Sequence, residues 1–382
     1  MPKHEAAIIG LAEVGNTRRP AHGQTTLSTL CAAFLEAVED AGLEPRQVDG
    51  LAVTSFTLAP DRAGDVAFRL GLSLRWITDA AASGAAGIVN IQRAIRAIEA
   101  GDASAIVVVC GDAPDWKAIP GKLGAYNHVR ADYLDPIGYV SPNSLFALLT
   151  QRQMRALGLE AEDYAQIAVT QRGWAAENPV AVYREPLTVG DYLQAKMVAD
   201  PLRTYDCVPL AVGANALVIA DVGAIRPQQP AIRIRAIAEA YNHDHQMGDG
   251  LSTGLADTGL WKAAGVEPGD MDVACVYDDY PAMVIAQLVD LGITEAARSR
   301  EFIHERIASR SFPVNTSGGM LSAGQAGSAG ALLAPVEVAR QLQGRAGARQ
   351  IAAAKLGVAS GYGHVLYRYG TAVSAVVMER AS

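Results

Sequence analysis

The sequence predicts a layered α/β protein with two related halves and a segment inserted into the first. Three observations predict this class. Two windows resemble each other, GLEPRQVDGLAV at Gly42–Val53 and GVEPGDMDVACV at Gly265–Val276. Apolar runs of strand type alternate with helical periodicity along both halves, which is typical of stacked sheets and helices. An aromatic and polar stretch at residues 113–202 interrupts this alternation.

Each window of the repeat runs from Gly-[Leu/Val]-Glu-Pro through an Asp into an apolar strand. Helical segments precede both windows, at Leu30–Ala41 and Gly259–Ala264, although they differ in length. Further upstream, Ala7–Ala12 and Ile232–Ala238 have the composition of strands. The alternative is a chance similarity between two common helix–turn–strand junctions. We interpret the pattern as a duplicated α/β unit.

The remaining elements extend the alternation. Ala105–Val109, Ala216–Ala220 and Ala372–Met378 are apolar runs of the buried-strand type. Gly87–Ala100 carries isoleucines at helical spacing, which predicts an amphipathic helix. Within the inserted stretch, two helices are expected, at Ser144–Leu157 and Ala161–Ala176. The predicted organisation is an N-terminal half at 1–112 plus 203–230, a loop domain at 113–202 that can cap a pocket, and a C-terminal half at 231–382.

Composition narrows the function classes. The 382 residues are 50% hydrophobic and 19% charged, with a formal net charge of -8, and the basic residues are scattered. This balance argues against nucleic acid or a membrane surface as the main partner. No window approaches the roughly 20 apolar residues of a membrane span, and the apolar stretch at the start is too short for a signal peptide. We therefore expect a cytoplasmic protein.

The number and spacing of the cysteines also fit a cytoplasmic protein. The four cysteines lie far apart without a CxxC pair, so neither a disulfide framework nor a metal site is supported. We expect Cys207 and Cys275 to be core residues rather than reactive thiols. We expect His243 and His245 to lie in a solvated loop rather than to form a metal-binding pair.

The segment Phe312–Gly330, FPVNTSGGMLSAGQAGSAG, is rich in glycine and small residues yet lies between apolar runs. Linkers of this composition usually connect domains. Glycines embedded inside a domain instead indicate sharp turns or a close approach of the backbone to a ligand. We therefore expect this segment to form one wall of a binding site.

Five segments, in this order and spacing, resemble the thiolase superfamily, specifically its sterol-carrier-protein-like branch, over nearly the whole chain. They are Ala81–Gly84 (AASG), Glu177–Cys207, Gly213–Ala220 (GANALVIA), Tyr277–Tyr280 (YDDY) and Asn315–Gly327 (NTSGGMLSAGQAG). The resemblance implies a thiolase fold, with duplicated βαβαβαββ halves in five layers (αβαβα), an inserted loop domain over the active site, and a homodimer. It also implies acyl transfer on coenzyme A thioesters through a nucleophilic cysteine.

The chain departs from the family's pattern at the positions of that chemistry. Ala81 stands at the position of the family's nucleophilic cysteine. Gln325 stands at the position of the His in the Gly-His-Pro motif, and Tyr277 at that of the His that often opens the histidine–acidic–x–aromatic motif. The position of the second Cys falls near Ser360. Alanine has no nucleophile and glutamine is no base near neutral pH, so covalent chemistry is not expected. Ser83 could substitute, but a serine in a first helical turn is more often a cap.

One cysteine-less group of the family resembles this chain further, in the NTSGG and LSAGQAG segments and in RQLQGRAGARQ at Arg340–Gln350. That group includes aldolases that cleave steroid side chains as coenzyme A thioesters. It works with a small OB-fold and zinc-ribbon partner protein, which implies a heterotetramer. The resemblance thus implies a carbon–carbon lyase that cleaves a β-hydroxyacyl-CoA by retro-aldol chemistry, with the enolate held in an oxyanion hole.

Residues of the matching segments supply the candidate groups. Side chains capable of acid–base work or of hydrogen bonding to a developing oxyanion are Tyr277, Tyr362, His364, Tyr280, Asp279 and Gln325. Substrate contacts or oxyanion donors are expected from Ser83, Asn315, Gly318, Gly319 and Gly363. Some have structural alternatives: Tyr280 as a buried aromatic, Asn315 as a turn brace, and His364 as a group that orients a neighbour. Of Asp278 and Asp279, one is expected to accept backbone amides and the other to steer a hydroxyl.

Two other functions stay open at the level of sequence. The chain could transfer acyl groups with a non-standard site, or it could be a catalytically silent structural subunit beside an active paralogue. No bound cofactor or metal is expected in any of these cases, and a coenzyme A thioester is the expected substrate.

Overall fold

The computed structural model describes residues 4–80, 82–115, 128–139 and 141–381. Its strands are β1 (Ala6–Thr17), β2 (Gly50–Thr54), β3 (Trp76–Asp79), β4 (Ala105–Asp112), β5 (Met197–Ala199), β6 (Leu202–Arg203), β7 (Val212–Asp221), β8 (Ile232–Tyr241), β9 (Val273–Cys275), β10 (Leu356–Val365) and β11 (Gly370–Arg380). Its α-helices are α1 (Thr26–Asp40), α2 (Arg62–Leu70), α3 (Ala86–Ala100), α4 (Pro142–Leu157), α5 (Ala161–Ala176), α6 (Val189–Gln194), α7 (Leu260–Ala264), α8 (Pro281–Asp290), α9 (Ser299–Phe302), α10 (Gly319–Ala323) and α11 (Gly330–Leu342).

The repeated windows fold alike. Each Glu-Pro starts a single 3₁₀ turn, Pro45–Gln47 in the first window and Pro268–Asp270 in the second. In both, the side chain at the third position accepts the backbone N–H of the preceding Glu, at 2.8 Å. Strands β2 and β9 follow. The repeat predicted from the sequence is therefore confirmed.

Nine strands form one mixed sheet in the order β3-β2-β4-β7-β1-β8-β11-β10-β9. Its two parts share one arrangement: β1 is antiparallel to β7 as β8 is to β11, and β2 is parallel to β4 as β9 is to β10. The two parts meet where β1 pairs with β8 at two positions, Ala7–Arg233 and Ile8–Ile232.

The helices complete a five-layer order. Helices α3 and α11 pack against each other between the two sheet parts, and Ile88, Ile91, Leu332 and Val336 are fully buried there. Helix α1 covers the other face of the first part, and α8 covers the other face of the second. This αβαβα order is the predicted fold class, and it places the start of α3 at the centre of the molecule.

The inserted stretch leaves the sheet after β4 and returns at β7, the strand that pairs with β4. Helix α5 packs on α8 and α10, beside the sheet edge where β9 ends. A buried carboxyl, that of Asp206, lies in the chain just before β7. Tyr192 donates its hydroxyl to Asp206, and Arg203 donates its backbone N–H to the same side chain. Burial raises the pKa of Asp206 to about 6. The boundaries predicted for the three domains stay a prediction.

Within the described ranges, no helix is long and apolar enough to cross a membrane. The same residues hold no cluster of three or more His, Cys, Asp and Glu side chains placed to bind a metal ion. All four cysteines are free, and burial raises the pKa of Cys207 to about 12. Burial also raises the pKa of the Cys275 thiol, which disfavours the reactive thiolate of both near neutral pH; Cys275 is buried in the core and Cys207 is half-buried against it.

Candidate active site

Three segments converge at one edge of the second sheet part. Because β9 and β10 are parallel, the chain leaves both at the same edge, and Tyr277 and Tyr362 follow or end these strands. The turn before α3 reaches this edge through Gly84. A Cβ on Gly84 would collide with the Tyr277 ring and with the Tyr362 carbonyl oxygen. A glycine is therefore required for the three segments to meet.

Tyr277 and Gln325 are hydrogen-bonded. The Nε2 of Gln325 donates to the Tyr277 hydroxyl oxygen at 3.2 Å. The Gln325 backbone is held by the segment before β7, because its N–H donates to Pro209 and its carbonyl accepts from Ala211. The amide thus stands at a fixed position and presents its N–H to the phenol oxygen.

The backbone of Tyr277 is held by a residue that the sequence analysis missed. The Gln287 side chain, in α8, donates to the Tyr277 carbonyl at 2.6 Å and accepts the Tyr277 N–H at 3.3 Å. The hydroxyl of Ser360 donates to the same Gln287 at 2.8 Å. Ser360 therefore has a structural partner at the position of the family's second cysteine. A lone glutamine inside the apolar run PAMVIAQLVD was the available signal.

Tyr362 has a different environment. Its side chain is only 2% exposed, and its hydroxyl oxygen accepts the backbone N–H of Gly370 at 2.5 Å. Burial raises the pKa of Tyr362, which keeps the phenol protonated. Among the described residues no acceptor takes its proton, so this hydroxyl is available as a proton donor.

The two adjacent aspartates separate into two roles. Asp278 accepts the backbone N–H groups of Met320 and Leu321, and Gln171 donates to it at 2.6 Å. Burial raises the pKa of Asp278 to about 7. Asp279 is half-buried, and its Oδ1 is sealed from solvent without a hydrogen-bond partner in the described chain. Burial and the neighbouring Asp278 raise the pKa of Asp279 well above its usual range. Asp278 is thus the acceptor for the amides of α10, and in Asp279 it is the Oδ1 that is left without a partner there.

Tyr280 matches its structural alternative. Its hydroxyl donates to the Oδ1 of Asn143 at 2.7 Å, and its ring stacks on Phe146 with 4.3 Å between centroids. Asn143 and Phe146 belong to α4 of the inserted stretch. The hydroxyl proton is therefore committed, and Tyr280 anchors that stretch to the sheet edge.

The glycine-rich turn uses its own amides. Gly318 donates its N–H to the Asn315 carbonyl at 2.8 Å, and Gly319 donates to the Ser317 hydroxyl at 3.3 Å. These bonds correct the expectation that both amides face an oxyanion. Asn315, with a left-handed φ of 49°, accepts the Val276 N–H at 2.7 Å and braces the end of β9. Its buried Nδ2 has no partner among the described residues.

Ser83 lies in the turn before α3 with a left-handed φ of 50°, an uncommon backbone state for a non-glycine residue. A Cβ on Gly363 would lie 3.0 Å from the Ser83 Oγ, so these two predicted residues face each other. The hydroxyl makes no hydrogen bond within the described ranges. A serine nucleophile needs a base in contact, and Ser83 has none there. Ala81 lies outside the described residues.

His364, near the end of β10, also has a left-handed φ, of 59°. Burial lowers the pKa of its imidazole, which favours the neutral form near pH 7. Its ring makes no hydrogen bond with another described residue. Of the two histidines predicted to lie in a solvated loop, His243 has a carboxylate neighbour: its Nε2 is 3.3 Å from the Asp244 carboxylate.

Comparisons with known proteins agree with this geometry. Residues 237–375 match the family model described as thiolase C-terminal domain-like. The chain is 31% identical to a steroid side-chain-cleaving aldolase of Thermomonospora curvata, covering 83% of this chain and 85% of that protein. It is 29% identical to the 17-hydroxy-3-oxo-4-pregnene-20-carboxyl-CoA lyase of Mycobacterium tuberculosis, covering 97% of each. A solved structure of the Ltp2-ChsH2(DUF35) aldolase superposes with a TM-score of 0.83 at 26% identity, over 99% of this chain and 98% of that one. The chain therefore belongs to the thiolase superfamily, in the group of the steroid side-chain-cleaving aldolases.

Proposed function

We propose that this protein is a carbon–carbon lyase that cleaves a β-hydroxyacyl-CoA by a retro-aldol reaction. The observation that carries the proposal is the hydrogen bond from Gln325 to the Tyr277 hydroxyl. A phenol and an amide stand where the family places histidines. This pair can move a proton and cannot form an acyl-enzyme.

The reaction needs two proton transfers and no nucleophile. A base removes the proton of the β-hydroxyl, the oxygen forms a carbonyl at Cβ, and the Cα–Cβ bond breaks. Its electron pair passes to the thioester, which becomes an enolate. An acid then protonates Cα, and a ketone and a shorter acyl-CoA leave. The enzyme must therefore hold one base and one acid on opposite sides of the breaking bond.

The environments of the two tyrosines suggest which group does which step. Gln325 donates to the Tyr277 oxygen and so stabilises its phenolate, which suits the base. Burial keeps Tyr362 protonated, and its proton has no described acceptor, which suits the acid. On these contacts we assign the base role to Tyr277 and the acid role to Tyr362. Asp279, with its raised pKa, is the proposed hydrogen-bond donor to the thioester enolate.

The proposed substrate is a steroid side-chain thioester with a hydroxyl on the β-carbon. The lyase of Mycobacterium tuberculosis is named for a 17-hydroxy steroid whose carboxyl-CoA is on C20. In that compound C17 is the β-carbon and C20 is the α-carbon. Retro-aldol cleavage of it releases a 17-ketosteroid and propionyl-CoA.

We further propose a homodimer that binds a small OB-fold and zinc-ribbon protein, giving a heterotetramer. Strand β3 lies at one edge of the sheet, and its residue Ile77 is 51% exposed. Such an edge is suited to pairing with a second copy. The name of the Ltp2-ChsH2(DUF35) aldolase contains a second component, which supports a partner here. We also propose that the protein works in the cytoplasm.

The test is product analysis of the purified chain, alone and with a DUF35-type partner. Incubation with the 17-hydroxy steroid thioester should release the ketone and propionyl-CoA in equal amounts. The intact mass of the protein should stay unchanged during turnover. Failure to cleave this substrate and a panel of other β-hydroxyacyl-CoA thioesters, with the partner present, would reject the proposal. An acyl adduct on Ser83 would support acyl transfer instead.

A further inference from the structure

The hydroxyl of Tyr362 meets a backbone N–H of the neighbouring strand. Gly370, the first residue of β11, donates to it. A Cβ on Gly370 would lie 2.6 Å from the Tyr362 Cζ, so a glycine is required for the backbone to come this close to the ring. Burial raises the pKa of Tyr362, and the hydrogen bond from Gly370 opposes that rise, because an N–H that faces the oxygen favours the phenolate. The position of Gly370 therefore affects how readily Tyr362 gives up its proton.

The turn that carries Gly370 is held from outside the hairpin. It joins β10 to β11 at residues 366–369. The hydrogen bond from the Leu366 N–H to the Tyr369 carbonyl spans 3.5 Å, longer than the usual distance of about 2.9 Å. The backbone N–H groups of Arg368 and Tyr369 both donate to one side-chain oxygen, the Oε1 of Gln246, at 3.0 and 3.2 Å. A residue more than 100 positions earlier thus fixes the turn.

Gln246 lies in the segment between β8 and α7 and is 7% exposed. Its Nε2 is buried and has no hydrogen-bond partner within the described ranges. The hydrogen bonds that its side chain makes there go through the oxygen alone, and they end on this one turn. The acceptor oxygen is therefore the part of Gln246 that the structure uses.

The same segment holds Tyr369, the residue before Gly370, in two further ways. Tyr369 donates its hydroxyl to Asp244, which also accepts the backbone N–H of Gln246 at 3.0 Å. A Cβ on Gly250 would lie 3.2 Å from the Tyr369 ring, so the backbone of the segment lies close against it. We call residues 242–250 the clamp segment. It encloses Tyr369, which is 2% exposed.

The clamp segment has an unusual backbone. Asn242, Asp244, His245 and Gln246 have left-handed φ angles of 49°, 49°, 53° and 61°. Residues other than glycine rarely adopt this conformation, and it persists where surrounding contacts impose it, often beside active sites. A loop that only connected β8 to α7 would have no need of it. The contacts with the turn at residues 366–369 supply such a constraint.

We propose that Gln246 is a positioning residue for Tyr362. Its amide oxygen fixes the N–H groups of Arg368 and Tyr369 and so keeps the Gly370 N–H on the phenol oxygen. This inference rests on the proposed function, because it takes Tyr362 as the acid of the lyase. It assigns Gln246 to the protonation step and not to substrate binding.

The test separates the acceptor oxygen of Gln246 from its bulk. Gln246→Met keeps the length of the side chain and removes the acceptor, so kcat should fall by about 10- to 100-fold, the effect of a misplaced catalytic group, with little change in KM. Gln246→Glu keeps an acceptor oxygen and should retain most of the wild-type kcat. Gln343→Met is the matched control, because Gln343 is also buried and hydrogen-bonded but contacts Pro230. It should keep the wild-type kcat.

A crystal structure of each variant measures the positioning itself, with or without turnover. In Gln246→Met the separation between the Gly370 nitrogen and the Tyr362 hydroxyl oxygen should exceed about 3.5 Å, the limit of a hydrogen bond. In Gln246→Glu the two atoms should stay within hydrogen-bond distance. An unchanged separation in Gln246→Met would overturn the proposal.

The kinetic outcomes decide between this proposal and the proposed function. Wild-type kcat in Gln246→Met would overturn the positioning role, while cleavage would still support the lyase. A Gln246→Glu enzyme as slow as Gln246→Met, or an equal loss in Gln343→Met, would also overturn it, since the effect would then be general damage to the fold. A lengthened separation in Gln246→Met, in a protein that cleaves no thioester, would uphold the placement of Tyr362 by Gln246 and reject the proposed function.

A second variant decides if Gln246→Met does not fold. Tyr369→Phe keeps the ring and the backbone N–H and removes only the hydroxyl that is bonded to Asp244. Its kcat should fall by about 2- to 10-fold, the value of one hydrogen bond, with KM unchanged. Wild-type kcat in Tyr369→Phe would then overturn the proposal.

Discussion

Replacing Tyr277 with Phe removes one hydroxyl and keeps the ring that packs on Gly84. The structure predicts a small effect on stability, because a half-buried Gln325 loses one hydrogen bond. That loss costs about 0.5–1.5 kcal/mol in the free energy of unfolding. The effect on catalysis should be much larger, because the proposed base is gone. Proton transfer by a positioned side chain contributes about 10²- to 10⁴-fold, so kcat should fall by that factor.

Tyr280→Phe is the matched control for this prediction. It removes a hydroxyl of the same chemistry from the same YDDY segment, but one whose proton is donated to Asn143. Its ring remains stacked on Phe146. The assay is propionyl-CoA release from the 17-hydroxy steroid thioester, followed by chromatography, with thermal unfolding of each variant beside it. A Tyr277→Phe enzyme with wild-type kcat, or equal losses in both variants, would refute the assignment of Tyr277 as the base.

Three further predictions follow from the same contacts. Tyr362→Phe should lower kcat by at least about 100-fold with little change in KM, because it removes the acid; wild-type turnover would contradict that role. Gly84→Ala should lower the free energy of unfolding by about 1–3 kcal/mol through overpacking against Tyr362. Gly64→Ala, in α2, is the control and should not destabilise, because its Cβ would meet only Asp61, at an ordinary 3.8 Å. Equal effects in urea unfolding would contradict the packing argument. Burial raises the pKa of Asp206 to about 6, so folding favours its protonated form. Wild-type stability should therefore fall relative to Asp206→Asn by about 2 kcal/mol between pH 4 and pH 7, and a pH-independent difference between the two proteins would refute this.

The fold was accessible from the sequence because its signals are local and repeated. Apolar runs such as Ala105–Val109 and the period of Gly87–Ala100 mark strands and helices directly. The two Glu-Pro windows each encode a 3₁₀ turn and a strand, and therefore the duplication. The glycine-rich segment at Phe312–Gly330 was expected to form one wall of a binding site, and its last part holds Gln325 beside Tyr277; its role in binding stays a prediction.

The finer roles depend on distant partners, which a single sequence does not show. Asp278 and Asp279 are neighbours with the same chemistry, and only the position of α10 decides which one accepts amides. The Tyr280 hydroxyl is bonded to Asn143, 137 positions away. The amides of Gly318 and Gly319 were predicted to face a ligand, but the turn is tight enough to use both internally. Local pattern proposes residues for the site, and tertiary contacts show which of their hydrogen-bonding groups are already in use.

The central claim is that the carbon–carbon bond breaks through an enolate without a covalent intermediate. Turnover of the 17-hydroxy steroid thioester in deuterium oxide tests it most directly, with mass spectrometry of the released propionyl-CoA and of the intact protein. The account predicts one deuterium at Cα of propionyl-CoA, delivered when the enolate is protonated, and an unmodified protein. Propionyl-CoA without deuterium, or a protein that carries an acyl group during turnover, would contradict it.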